Sequence, residues 1–362
     1  MKRVVFDLDE TLCVHRNRDY PNAAPVTDAI ERIRELKRDF PDCEVVIHTA
    51  RGMKSCGGDA AKADAKNRAV TEEWLKRNGV PYDQLVFGKP FADAYVDDKA
   101  VSLEEWIEKG ATRLVGYSGK PNARIGRIVV KSDEDGAQRD WYAMARPLNL
   151  KTLSLPHVIS WSFGRLFIRY VEGRCFSSIT DGELLYYVPL FAAAIREFGS
   201  FGVSGENDVA EYSRLVRERG ELAKMEARRI SNLERDLAEL APMFVRRTFC
   251  HGDFTLANIV RSEDGQLFVI DPSFKQSFAT YLLDAAKFRA SLNGLNDVLT
   301  RSQRPFFSSL EYFDKLWTAD ELKAIRVLER THFVRVAGVA ANMGLTGDAE
   351  RLVLMEAREA ER

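Results

Sequence analysis

Two short stretches crowd carboxylates where isolated like charges would repel. Residues 6–12 read FDLDETL, with Asp7, Asp9 and Glu10 packed at the end of an apolar run. Like charges that close push each other's pKa up, so the cluster weakens a fold unless a cation sits in it. Asp7 and Asp9 are two apart, so on an extended segment they share one side. Mg²⁺, a hard ion taking a small number of protein oxygens, would relieve their repulsion. One carboxylate could then attack phosphorus and form an aspartyl-phosphate. A neighbouring carboxyl could protonate the leaving oxygen and later activate water. A further acidic pair, Asp97-Asp98, ends another apolar stretch. Much later comes FCHGDFTLANIV and, thirteen residues past its Asn, VIDPSF. Phosphoryl transfer to a hydroxyl needs a base to align the acceptor, an amide ligand for Mg²⁺ and a second metal-binding carboxylate. Asp253, Asn258 and Asp271 meet those three needs in turn.

Strands and loops must hold these groups. In the first third MKRVVFDL, CEVVIHTA, QLVFG and DAYVDD read as strands. VTDAIERIRELKRDF carries Val26, Ile30, Ile33 and Leu36 at helical spacing, with Thr27 or Asp28 near its start. AVTEEWLKRNG reads as a helix stopped by Gly79, and SLEEWIEKG as another closed by Gly110. Such alternation predicts a parallel sheet covered on both faces. Ligands of such sheets bind beyond the carboxyl ends of the strands, where FDLDETL, HTAR, VFGKP and YVDDKA all lie. From about residue 111 short strands follow in TRLVGYSG and ARIGRIVVKSDEDG, then a helix in QRDWYAMARPL and paired strands in HVISWSFGRLFIRYVEG. After Gly182 nearly everything reads helical until RRTFCHGDFTLANIV and QLFVIDPSF, a strand–loop–strand insert. The charged segment from Asp208 to Leu240 reads as a solvated amphipathic helix pair, and ERLVLMEAREAER as a last surface helix.

Residues 1–110 resemble the haloacid dehalogenase-like (HAD) phosphatases, with all four of that family's motifs in order. They are Asp7-Leu8-Asp9-Glu10-Thr11, Thr49 in VVIHTAR, Lys89 in VFGKP, and Asp97-Asp98. The resemblance implies that Asp7 is the nucleophile and Asp9 the general acid/base. It implies that Thr49 and Lys89 hold phosphoryl oxygens, and that Asp97 or Asp98 completes a Mg²⁺ site with Asp7 and the Asp9 carbonyl. HTARG, FGKP and YVDDKA carry a finer resemblance to the small HAD phosphatases of capsule and surface-polysaccharide gene clusters. The phosphatase half of polynucleotide kinase-phosphatases has a similar layout. The loop HRNRDYPNAAP leaves little room for a cap domain. Arg51 either meets a second anionic group of the substrate or forms a surface ion pair. His15 and His48 read as ordinary polar or packed residues.

Residues 111–362 resemble the aminoglycoside phosphotransferase and choline kinase-like family, a small-molecule branch of the protein kinase fold. HGDFTLAN followed by a strand ending in Asp271 carries that resemblance. It implies that Asp253 is the base and that Asn258 and Asp271 bind Mg²⁺. VGYSGKPNARIGRIVVK is similar to the nucleotide loop, with Gly116, Gly119 and Gly126, and to the strand bearing the ATP-binding Lys131. Asp140, where relatives have Glu, is the expected partner of Lys131, with Asp133 to Asp135 as alternatives. The backbone from Arg169 to Val171 resembles the hinge that holds adenine. Asp284 resembles a structural aspartate. IDPSF in place of DFG, and no APE segment, favour a small-molecule acceptor over a protein. His157 and His332 read as packing residues. The expected fold is therefore α/β: a Rossmann-like HAD domain with a minimal cap, then a bilobal α+β kinase-like domain. Its lobes would cover about residues 111–173 and 174–362.

The 362 residues suit two domains. A formal net charge of −1 is not that of a chain that tracks nucleic acid by its phosphates. Five scattered cysteines show no metal spacing and read as reduced thiols in a cytoplasm. MKRVVFDLDE reads as a strand start rather than a signal peptide, and no apolar run approaches membrane-spanning length. The expectation is a bifunctional Mg²⁺- and ATP-using phosphatase–kinase in surface-polysaccharide precursor metabolism. Its partners would be a small phosphate ester and a sugar, polyol or amino-alcohol acceptor. Two alternatives compete: nucleic-acid end processing, against which the charge and the missing P-loop count, and a protein with one silent domain serving as sensor or scaffold. Oligomeric state is not legible.

Overall fold

The computed structural model describes residues 2–92, 95, 99–114, 122–162, 164–273, 278–295 and 305–361. It divides into two compact units, Met1–Ser132 with His157–Tyr170, and Asp133–Pro156 with Val171–Arg362. The antiparallel sheet that the sequence places in the kinase-like domain thus groups with the N-terminal unit.

The first unit begins with β1 (Arg3–Phe6), the two-residue strands β2 (Cys13–Val14) and β3 (Ala24–Pro25), and α1 (Thr27–Asp39). It continues with β4 (Glu44–Thr49), α2 (Ala60–Arg77), β5 (Gln84–Phe87) and α3 (Leu103–Lys109). The strands β1, β4 and β5 form a three-stranded parallel sheet with β4 in the centre. Val45, Val46 and Ile47 are all buried, so β4 is covered on both faces. The outer strands are not, since Val5 and Val86 reach solvent. The helix α1 buries Ile30, Ile33 and Leu36, as its spacing predicts. The helix α2 starts nine residues earlier than AVTEEWLKRNG suggests, because Asp59 caps it by accepting the Lys62 N–H at 3.0 Å. Apolar periodicity is weak in its alanine-rich first half, so the cap decides the start. Trp106 of α3 meets Phe6 edge-on at 5.0 Å and Trp74 of α2 donates to the Ala23 carbonyl, which locks the helices to the core. The hairpin β2–β3 is the whole of the structure between β1 and α1.

A five-stranded antiparallel sheet completes this unit, in the order β6 (Ala111–Leu114), β7 (Asn122–Ile125), β8 (Ile128–Ser132), β10 (Arg165–Arg169), β9 (Val158–Ser162). Ile125 packs on the parallel-sheet core, and Arg127 pairs with Glu105 of α3.

The second unit is mostly helical. It holds α4 (Ala137–Ala145), β11 (Gly173–Cys175), α5 (Asp181–Gly199), β12 (Gly202–Glu206), α6 (Val209–Leu222) and α7 (Ala227–Phe244). After β13 (Arg246–Thr248), β14 (Ile259–Ser262) and β15 (Leu267–Val269) come α8 (Tyr281–Leu292), α9 (Phe307–Lys315), α10 (Ala319–Asn342) and α11 (Thr346–Ala360). The expected helix pair is α6 and α7. The strand β12 was not expected, because FGVSGEN has little β pattern; it forms by pairing with β13. All of α8 except Tyr281 is buried, so it has no amphipathic stripe and runs through the centre of the unit. Among the described residues, no helix is long and apolar enough to cross a membrane.

Candidate active sites

In the first unit three parallel strands end side by side, so the residues just beyond them converge. Lys89 Nζ lies 2.5 Å from Asp7 Oδ2, and Asp7 Oδ1 accepts the Leu8 N–H at 2.8 Å. The Lys89 N–H donates to the Thr49 carbonyl, which ties the end of β5 to the end of β4. Thr49 is fully buried, and its Oγ1 accepts the Arg51 N–H at 3.0 Å. Asp7, Thr49 and Lys89 are thus brought together, with a cation against the carboxylate that most needs one. Asp97 and Asp98 lie outside the described residues.

Arg51 departs from its expectation. It neither faces a substrate nor forms a surface pair, because its side chain is 0% exposed. Its guanidinium grips Asp9, with Nε 2.9 Å from Oδ1 and Nη2 at the same distance. It also donates to Thr71 Oγ1 and Cys13 Sγ and lies 4.4 Å over the Tyr20 ring. His15 approaches Asp9 at 3.5 Å. The chain turns away from the site at Gly52, where φ is 76° and an added Cβ would come within 2.4 Å of Asn67 Nδ2. Burial pushes the Cys13 thiol up to about 12, and lowers His48, with Lys89 adding to the effect.

In the second unit the catalytic-type loop is anchored from below. Asp284 of α8 accepts the His251 and Gly252 N–H groups at 2.5 and 2.7 Å, the structural role expected of it. Burial raises this carboxyl to about 7, against the pull of the two amides. Trp141 of α4 donates to the Cys250 carbonyl at 2.7 Å. His251 is fully buried between Trp141 and Phe254, with neither ring nitrogen bonded, and burial lowers it to about 4. It is a packing residue. Asp253 keeps 36% of its side chain exposed. Its Oδ2 accepts from Asn258 Nδ2 at 2.8 Å. Desolvation is the largest influence and works to raise this carboxyl, but Lys287, His332 and His251 together hold Asp253 below the usual carboxylate range. Lys287 Nζ lies 3.1 Å from Asp253 Oδ1 and also donates to the Gly252 carbonyl. Sequence reading missed this lysine. Its signal is there, one helical turn beyond Asp284 and so on the same face. The Asn258 carbonyl accepts the Ile270 N–H at 2.9 Å, so β14 and β15 set Asn258 beside the residue preceding Asp271. Asn258 Oδ1 and the Asp271 carboxylate are hard oxygen donors, the type that suits Mg²⁺. Among the described residues no group of three or more His, Cys, Asp and Glu side chains gathers as a metal site, in this loop or in any other place.

The expected nucleotide residues are placed as follows. Lys131 is buried on β8. Gly119 lies outside the described residues. Asp140 pairs with its neighbour Arg139 at 2.8 Å, and Asp133 caps α4 by accepting the Gln138 and Arg139 N–H groups. The N–H groups of Arg169 and Tyr170 are donated to the His157 and Arg127 carbonyls. The Arg169 N–H is therefore already committed.

No protein-family model matches the chain, and no curated protein matches it. Among solved structures, a thermostable mutant of the aminoglycoside phosphotransferase APH(4)-Ia, in its apo form, is 15% identical. That match covers 71% of this chain and 98% of that chain with a TM-score of 0.52. At that identity the likeness is one of fold: the chain has an aminoglycoside phosphotransferase-like fold over that share of its length. A glucosamine kinase is 17% identical, covering 67% of this chain and 78% of that chain with a TM-score of 0.47. A crystal structure from Vibrio cholerae is 37% identical, covering 30% of this chain and 88% of that chain with a TM-score of 0.28.

Proposed function

We propose that the chain is a bifunctional phosphatase–kinase acting on small molecules, with domains over about residues 1–110 and 111–362. The observation that carries the kinase half is the loop itself: a half-buried Asp253 carboxylate bonded to Asn258, whose carbonyl is in turn bonded by Ile270, the residue before Asp271, in an aminoglycoside phosphotransferase-like fold. Asp253 would align the acceptor hydroxyl and take its proton. Asn258 and Asp271 would hold Mg²⁺, which when bound offsets the charge of the ATP phosphates. Lys131 would meet those phosphates, with an acid such as Asp140 as its partner. The Arg169 carbonyl and the Val171 N–H are two residues apart, the spacing that lets a hinge meet an adenine edge.

In the phosphatase half Asp7 would attack the phosphoryl group while Asp9 protonates the leaving alcohol. Water would then cleave the aspartyl-phosphate as Asp9 takes its proton. Lys89 and Thr49 would steady the transferred oxygens, and Asp97 or Asp98 would complete a Mg²⁺ site. If both halves acted on one ester, the net result would be ATP hydrolysis, so they must differ in substrate or position. A sugar, polyol or amino-alcohol of surface-polysaccharide synthesis fits that need. The test uses Asp7→Asn protein with Mg²⁺-ATP and pools of such acceptors, following ADP and a mass gain of one phosphoryl group. No product with any pool, and no phosphate release by the wild type from the matching esters, would refute the proposal.

A further inference from the structure

We infer that Lys287 is a positioning residue for phosphoryl transfer: from α8 it holds the Asp253 carboxylate in place. The inference rests on the kinase reading above. Both carboxylate oxygens of Asp253 are occupied, Oδ2 by Asn258 and Oδ1 by Lys287. These two partners are not equivalent. Asn258 is also a proposed Mg²⁺ ligand. Its amide donates Nδ2 to the Asp253 carbonyl and to Oδ2, which turns Oδ1 outward. Asn258 Oδ1 can meet a metal while Nδ2 keeps these bonds, and each carboxylate oxygen of Asp253 has a second lone pair for an acceptor hydroxyl.

Lys287 has no such second task. It is buried on α8, the helix that anchors the loop, three residues after Asp284. Together the two side chains clamp three consecutive residues of the loop. Asp284 takes the N–H groups of His251 and Gly252, and Lys287 takes the Gly252 carbonyl and the Asp253 carboxylate. A lysine loses much rotamer freedom on burial, and here its stem is already ordered by α8. The cost of holding the base is therefore met in the fold before substrate arrives. Without the ammonium, the Asp253 carboxylate is left with the Asn258 amide.

The test has two readouts. In crystals of the wild-type protein with Mg²⁺ and a non-hydrolysable ATP analogue, Lys287 Nζ should stay within hydrogen-bond distance of Asp253 Oδ1. A Lys287 displaced from Asp253 overturns the inference. In kinetics, Lys287→Gln should lower kcat about 100-fold, the scale of a misplaced catalytic group, with the KM for ATP unchanged. Lys287→Arg, which keeps the charge, should recover part of that loss and serves if the Gln variant does not fold. Equal effects on kcat and KM, or no recovery by Arg, also overturn it. Failure of the kinase reading shows differently: the wild type then turns over no ATP with any acceptor, and the inference falls with it.

Discussion

Replacing His251 by Leu should change how the second unit responds to acid. The ring is fully buried, touches Trp141 and Phe254, and bonds through neither nitrogen. Burial lowers it to about 4 from an ordinary value of 6.5. The folded state thus holds fewer protons than the unfolded chain. The stability this contributes is complete above the ordinary value and is lost as pH falls through 6.5 toward 4. Integrated from pH 7 to pH 5, the loss is about 2 kcal/mol for this one group. With a urea slope of roughly 2 kcal/mol/M, that moves the midpoint by about 1 M. Leucine is close in volume and leaves no polar partner behind, so its cost at pH 7 should stay below about 1.5 kcal/mol. The assay is urea unfolding at both pH values, followed by far-UV circular dichroism, whose helical signal comes mainly from the second unit. The midpoint of the variant minus that of the wild type should rise by about 1 M between pH 7 and pH 5. A difference that does not change with pH would refute the reasoning and mean that His251 finds a proton inside the fold.

Three further outcomes are expected. Asp7→Asn should abolish phosphate release and leave phosphoryl transfer intact, while Asp253→Asn should do the reverse; loss of both activities from one change would point to a coupled site. Arg51→Met leaves the Asp9 carboxylate, 22% exposed, against an apolar side chain without its cation and should cost about 3 kcal/mol, the lower end for a broken buried pair, read by urea unfolding of the first unit; an unchanged midpoint would show that the guanidinium is dispensable. A thiol reagent should modify Cys56 and Cys175 and spare Cys13, Cys43 and Cys250 in the folded protein, since only the first two are partly exposed; labelling counted by intact mass checks this.

Much of this protein is determined by its sequence alone. Residues whose chemistry and local spacing coincide are legible there: the strand ends carrying Asp7, Thr49 and Lys89, the HGDFTLAN loop, the helix α1 with its buried stripe, and the stop at Gly79. Each depends on neighbours a few residues away, so a linear pattern contains the physics. Other features depend on groups far apart in the chain. Arg51 reads as a substrate contact or a surface ion pair, and only folding shows it sealed against Asp9, 42 residues earlier. The weak strand β12 exists because β13 pairs with it. Lys287 looks like any helical lysine until α8 is placed under the loop, 34 residues from Asp253. The five-stranded sheet groups with the first compact unit rather than the second, a division no local pattern announces. Burial is a property of the packed chain, and it alone decides whether a charged side chain meets water or another charge.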